Sequence, residues 1–423
     1  MALPTNTTVP AKSITGSKAL LPLILVISLF FFWGFIHNLD PILIAHLRKT
    51  FQLNTLQASL VDFAVFIAYF AMALPAGLLM KKMGYKYGII FGLILFASGA
   101  LLFLPAANFH SYGIFLAALF IIASGLTFLE TAANPYVTVL GAPESATFRL
   151  NFAQSFNGLA AFLAPLFGRN FILSGKEITD AEIAAMAPDI RQAYFEMEAS
   201  SVKMPFLILG LILILVAILF FFTKLPDIKD EEGSGGIASA WKHKRLKWGV
   251  MAQFFYVGAQ VCVFSFFILY ASKAGNITEK TAAIYLSSCG LAFMLGRFAG
   301  TFLMKYIAPV KLLFLYAVIN IALSAMAIFF GGITAIVAVV GITFFMSIMF
   351  PTIFSLGIEG LGKDTKMGSS LIIMAIVGGA LLPLLFAFIT DKTGNIQYGY
   401  FVPLICFGMI ALFAKKVQQP NFA

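Results

Sequence analysis

The stretch Gly125-Leu126-Thr127-Phe128-Leu129-Glu130-Thr131-Ala132-Ala133-Asn134-Pro135 decides how the rest of the chain is read. It sits in an apolar run long enough to cross a membrane, yet it carries a carboxylate and an amide. A charge at bilayer depth costs about 2.5 to 3.5 kcal/mol on insertion scales, so such residues are kept for a reason. Glu130 and Asn134 are four apart and share one helix face. Downstream, Phe148-Arg149-Leu150-Asn151-Phe152-Ala153-Gln154-Ser155-Phe156-Asn157 repeats the theme, with Gln154 and Asn157 three apart. Two polar faces in apolar surroundings imply a hydrated cavity shared between helices.

Working outward, 61% of the 423 residues are hydrophobic, well above the roughly 45 to 50% of soluble domains. The chain reads as an all-α integral membrane protein. Twelve segments have the length and apolarity of a span: about 20–47, 55–80, 86–107, 111–140, 149–174, 204–223, 246–272, 281–304, 309–330, 333–360, 367–390 and 397–414. The first follows a polar tail with no small-residue cleavage site, so it reads as retained. Net charge is +10, but the basic residues follow membrane topology rather than a nucleic-acid footprint. With both termini cytoplasmic, about 19 Lys and Arg fall inside and about 9 outside.

The two halves read as diverged copies. Trp33 to Gly77 and Tyr256 to Gly300 have the same separation, and Asn134-Pro135 with Leu140-Gly141 echoes Phe350-Pro351 with Leu356-Gly357. This pattern divides the chain into a six-span bundle over 1–223, a flexible cytoplasmic linker over 224–245, and a second six-span bundle over 246–423. The longest external loop, 175–203, carries Thr179-x-x-Glu182 as a capping box, with Ile183, Met186, Ile190, Tyr194 and Met197 at helical spacing. One or two short amphipathic helices are expected there.

The remaining polar residues within the spans sort by depth. Span one carries His37, Asn38 and Asp40 before Pro41, which removes a helical hydrogen bond. Asp62 lies early in span two. Tyr256, Gln260 and Phe350 fall at the depth of the first-half polar residues, where amides suit sugar hydroxyls and rings suit apolar sugar faces. Arg297 reads as a snorkelling or gate-pairing residue, and Arg149, Glu144 and Glu359 as parts of an inner gate formed in one conformation only. The spacing shows no metal cluster, no nucleophile with its base, and no cofactor motif. The three cysteines, Cys262, Cys289 and Cys406, read as packing residues. A membrane enzyme, a sugar sensor and an exporter are weaker alternatives.

Four strings then carry a resemblance: Leu129 to Gly141, Arg149 to Asn157, Gln253 to Gln260, and Pro351 to Gly357. The chain resembles the fucose:proton symporter family of the major facilitator superfamily over nearly all twelve spans. The resemblance implies proton-driven uptake of a monosaccharide of the fucose, galactose or glucose class across a bacterial inner membrane, by a monomer. It implies that Glu130 serves both sugar contact and proton coupling, and that Asn38, Gln154, Asn157 and Gln260 match amides at the sugar site. The chain departs from the family pattern at two places. Asp40 sits one residue early, about 100° around a helix, and Phe350 stands where the family has a tyrosine. Sodium coupling or facilitated diffusion is the alternative, with Asp62 able to share the coupling role.

Overall fold

The computed structural model describes residues 17–39, 43, 46–47, 50–52, 55–140, 142–171, 185–225, 236–277 and 279–419. Among them no strand forms, and long apolar helices cross back and forth. Ten stretches of the described residues are long and apolar enough to span a membrane, and Ser17–His37 and Ala146–Phe171 complete the twelve. In the first half, span one is Ser17–His37, span two Thr55–Met83, span three Tyr85–Asn108, span four Tyr112–Val139, span five Ala146–Phe171 and span six Lys203–Phe222. In the second half, span seven is Lys244–Ser265 continued by Phe267–Gly275, span eight Glu279–Leu303 and span nine Pro309–Phe329. Span ten is Gly332–Met346 continued by Met349–Ile358, span eleven Thr365–Met374 and Gly378–Thr393, and span twelve Phe401–Val417.

Span one breaks within its apolar run, and Leu43, His46, Leu47 and Thr50 beyond the break are again helical. The helix stops at His37, Asn38 and Leu39 form a turn, and Asp40 lies outside the described residues. Pro41 has no N–H to offer the carbonyl of His37, and it disfavours helical geometry in the residue before it. The loop helix materialises as Pro188–Ser200, but its buried face differs from the apolar spacing. Tyr194, Glu198 and Ala199 are buried while Ile190 and Met197 are exposed. Glu198 meets the buried His46 at 3.7 Å, which ties this helix to the segment after span one. Thr179, Glu182 and Ile183, and the linker's 226–235, lie outside the described residues.

Within the first half, span four packs on spans two and three, span three on span six, and span one on span five. The second half repeats the scheme, with span ten on spans eight and nine, span nine on span twelve, and span seven on spans eleven and twelve. The halves meet through span two against span eleven and span five against span eight. These pairs exchange under the repeat, as a parallel duplication requires.

We call the face where span one begins and span twelve ends the proximal face. The halves are sealed together near it. A methyl group built on Gly77 of span two would lie 2.0 Å from Ser370 Oγ of span eleven, so only glycine permits this approach. Thr147 and Ser355 hydroxyls share a hydrogen bond of 2.9 Å, and Asn151 Nδ2 donates to Thr352 Oγ1 at 3.1 Å. The buried Lys366 lies over the Tyr85 ring, 5.1 Å from its centre.

Candidate transport site

Above that seal, polar groups of spans two, four, five, eight and ten bond to one another. Glu130 is 8% exposed, and its Oε1 accepts a hydrogen bond of 2.6 Å from Tyr69 Oη of span two. A hydroxyl donor suits an acid in this position, since it meets the carboxylate without introducing a second charge. One turn along, Asn134 Oδ1 accepts from Gln154 Nε2 at 3.2 Å. The spacing that placed Glu130 with Asn134 on one face thus presents both to spans two and five. Asn134 Nδ2 and the Tyr256 hydroxyl are buried donors without a protein partner among the described residues.

Arg297 comes from span eight of the opposite half and is 4% exposed, so it does not snorkel. Its Nη1 donates to Gln154 O at 2.9 Å and to Asn157 Oδ1 at 3.3 Å, and its Nε donates to Ser347 O at 2.9 Å. The last acceptor has a local cause. Pro351 lacks the N–H that would close a helical bond with Ser347, and span ten breaks between Met346 and Met349. The guanidinium takes the freed carbonyl and stacks over the Phe293 ring at 4.6 Å. Asn157 is also pressed against span one: a methyl group on Gly34 would lie 2.7 Å from its amide.

Other anticipated residues fall around this core. Asn38 is half-buried and donates from Nδ2 to Gly34 O at 2.6 Å, turning its amide back on its own helix, while His37 beside it is exposed. Tyr256 and Phe350 meet edge to face with ring centres 6.2 Å apart, and half-buried Gln260 lies one turn beyond Tyr256. Asp62 is in the span-two helix, but its side chain, like Asp40, lies outside the described residues.

In this conformation Arg149 and Glu359 bond within their own halves. Arg149 donates to the carbonyls of Val137, Thr138 and Ala142, so it caps the end of span four within its own half. Glu144 is exposed. Glu359 pairs with Arg245, which also donates to Leu356 O at 2.8 Å and caps span ten. Both clusters hold one half together rather than joining the two. Hydroxyls, one amide, Gly77 and the Lys366–Tyr85 contact join the halves near the proximal face.

The Major Facilitator Superfamily model matches residues 24–370. The chain belongs to the major facilitator superfamily. Among superfamily members, the L-fucose-proton symporter of Escherichia coli (strain K12) is 43% identical over 410 residues, covering 95% of this chain and 94% of that protein. The glucose/galactose transporter of Brucella abortus biovar 1 (strain 9-941) is 41% identical over 417 residues, covering 97% and 98%. The crystal structure of the superfamily transporter FucP in the outward conformation superposes with a TM-score of 0.89 at 42% identity, covering 95% of this chain and all of that one.

Three residues of this site escaped the sequence reading. Tyr69 is one of 13 tyrosines in a chain that is 15% aromatic, and nothing in its local pattern marks it. Asn151 sits in the quoted span-five string and Thr147 just before it, but only the fold shows that they face span ten. Their signal is modest: small polar residues spaced a turn apart on one helical face.

Proposed function

We propose that this protein imports a monosaccharide of the fucose, galactose or glucose class together with protons, its halves rocking to expose one central site to either side in turn. The observation that carries the reading is the Glu130–Tyr69 hydrogen bond one turn from the chain of polar contacts through Asn134, Gln154, Arg297 and Asn157. A titratable acid beside a set of amides suits coupled binding of a proton and a polyhydroxylated ring. The unpaired Asn134 and Tyr256 donors are available to sugar hydroxyls, and Phe350 offers a face to the apolar side of the ring. Asn38, His37 and Gln260 complete the ring of contacts, and Asp40 and Asp62 are the companion acids for coupling. The names and conformation of the relatives favour this reading.

In this scheme the proximal face is cytoplasmic, in keeping with the lysine and arginine bias, the membrane is the bacterial inner membrane, and the transporter works as a monomer. Its proximal seal is shut, and sugar enters from the distal side. Protonation of Glu130 removes the cost of carrying a bare carboxylate through the occluded state, and the sugar stabilises the closed chamber. Arg149, Glu144, Glu359 and Arg245 rearrange as the proximal side opens.

The test is uptake of fucose, galactose and glucose into liposomes holding the purified protein, under a proton gradient or a sodium gradient. A proton gradient is expected to drive accumulation of at least one sugar. Glu130→Gln is expected to abolish that accumulation while retaining exchange of sugar across the membrane. Accumulation that follows sodium alone, or persists undiminished in Glu130→Gln, would remove the proton from the mechanism.

A further inference from the structure

On its flank the molecule carries a groove of about 440 Å³ that the transport mechanism does not use. Phe70 of span two forms one wall, and Val250 and Phe254 of span seven with Met374 and Val377 of span eleven form the other. Trp241 and Lys247 stand at its proximal end. The central chamber is sealed at that end, so a cleft reaching Trp241 and Lys247 lies on the outside of the bundle. Phe70 belongs to a strip of exposed apolar residues, Phe63, Ile67, Phe70 and Leu78, which is a lipid-facing surface.

The shape has a covalent origin. Span eleven leaves α-helical geometry over Ala375–Val377, and immediately beyond, a methyl group on Gly378 would lie 2.1 Å from Phe254 O. This close approach shuts the groove at its inner end. From Lys247 to Phe254 the helix rises about 10 Å, so the groove runs from the headgroup level partway through one leaflet.

The charge at the mouth is uncommitted. Lys242, Lys244 and Lys247 are exposed, and none takes part in an ion pair among the described residues. The nearby acids are engaged elsewhere: Asp364 accepts from Ser239 and meets His243 at 3.0 Å, and Glu359 pairs with Arg245. An indole and lysines at the interface above an apolar slot match an anionic headgroup over an acyl chain.

We propose that this groove binds an anionic phospholipid, with an acyl chain along Phe254 and Met374 and the phosphate at Lys247 beside Trp241. One wall belongs to each half, so a bound lipid bridges them beside the proximal seal and favours the state in which that seal is shut. A lysine near a membrane surface contributes about 1 kcal/mol toward an anionic lipid, or about fivefold in affinity.

The chain has three tryptophans, and Trp33→Phe with Trp248→Phe leaves Trp241 as the sole indole. This protein in detergent is titrated with phosphatidylglycerol or phosphatidylcholine carrying brominated acyl chains, and quenching of Trp241 is read. Phosphatidylglycerol is expected to quench at about fivefold lower concentration, Lys247→Gln is expected to erase that preference, and inorganic phosphate is expected to displace neither lipid. Equal quenching by the two lipids, a preference unchanged in Lys247→Gln, or displacement by inorganic phosphate would each overturn the proposal. Should the double replacement prevent folding, native mass spectrometry of the unmodified protein and of Lys247→Gln in mixed lipids reads the same preference.

Discussion

Span four and span ten are the same element of the two halves, and they have diverged in opposite directions. Each has a proline at the matching place, Pro135 and Pro351, which withholds an N–H from the carbonyl of Thr131 or Ser347. Span four stays continuous over Tyr112–Val139, whereas span ten breaks and hands its freed carbonyl to Arg297. The register that pairs Asn134 with Phe350 also pairs Glu130 with Met346. The first half therefore carries the acid and most of the amides, and the second supplies a cation, an aromatic wall and Gln260. A duplicated scaffold needs only one chemically loaded half, because rocking brings the same site to both faces; its partner must grip that site and close over it.

The sharpest way to break this division is at Arg297. If the second half grips the site through this side chain, Arg297→Gln removes charge-assisted bonds to Gln154 and Asn157 and strands the Ser347 carbonyl. Each hydrogen bond to a charged group contributes about 1.5 to 3 kcal/mol. Uptake and sugar exchange are both expected to fall on the order of a hundredfold or more, measured in the same liposomes in which Glu130→Gln spares exchange. Exchange at the normal rate in Arg297→Gln would mean that the site belongs to the first half alone.

The next effect concerns closure. Gly77→Val places two methyl groups where one already meets Ser370, and overpacking of this kind costs about 1 to 3 kcal/mol. The strain is relieved when the halves part at the proximal face. A Ser355→Cys reporter in the seal is expected to react with an impermeant thiol reagent on the order of tenfold faster in the Gly77→Val background, and Ser370→Gly is expected to reverse the gain. An unchanged labelling rate would show that glycine packing does not set the balance between the two states.

The sequence carries much of this architecture openly, and the reasons are physical. Spans announce themselves because lipid demands about 20 apolar residues per crossing, and Glu130 stands out because an acid there is costly. The repeat is legible in glycines and prolines, which the backbone cannot replace. What stays hidden depends on partners distant in the chain. Arg297 resembles any cation near a helix end until its carbonyl acceptors are seen, and Thr147, Ser355 and Gly77, which join the halves here, are of types common in any apolar helix.

Tyr69 offers a smaller test of the same comparison, since its counterpart in span eight through the Gly77–Gly300 register is Ala292. Tyr69→Phe deletes one hydrogen bond to a carboxylate, worth about 1.5 to 3 kcal/mol when the acceptor is charged. Proton-driven accumulation is expected to drop by about tenfold with exchange little changed, which places Tyr69 with Glu130 rather than with the amides. Equal losses in both assays would assign Tyr69 to sugar binding instead.

The smallest effect lies on the aromatic wall. Phe350 stands against Tyr256 at 6.2 Å and lacks the hydroxyl that the fucose:proton symporter family carries at the matching place. Phe350→Tyr adds a donor beside the Tyr256 hydroxyl, and a typical hydrogen bond contributes about 0.5 to 1.5 kcal/mol net. The ratio of fucose to glucose uptake is therefore expected to rise by a few-fold, up to about tenfold, in competition assays. A larger change would mean that the second half selects the sugar as well as enclosing it. No change would leave selection with Asn134, Gln154 and Asn157, where the hydrogen-bonding capacity is concentrated.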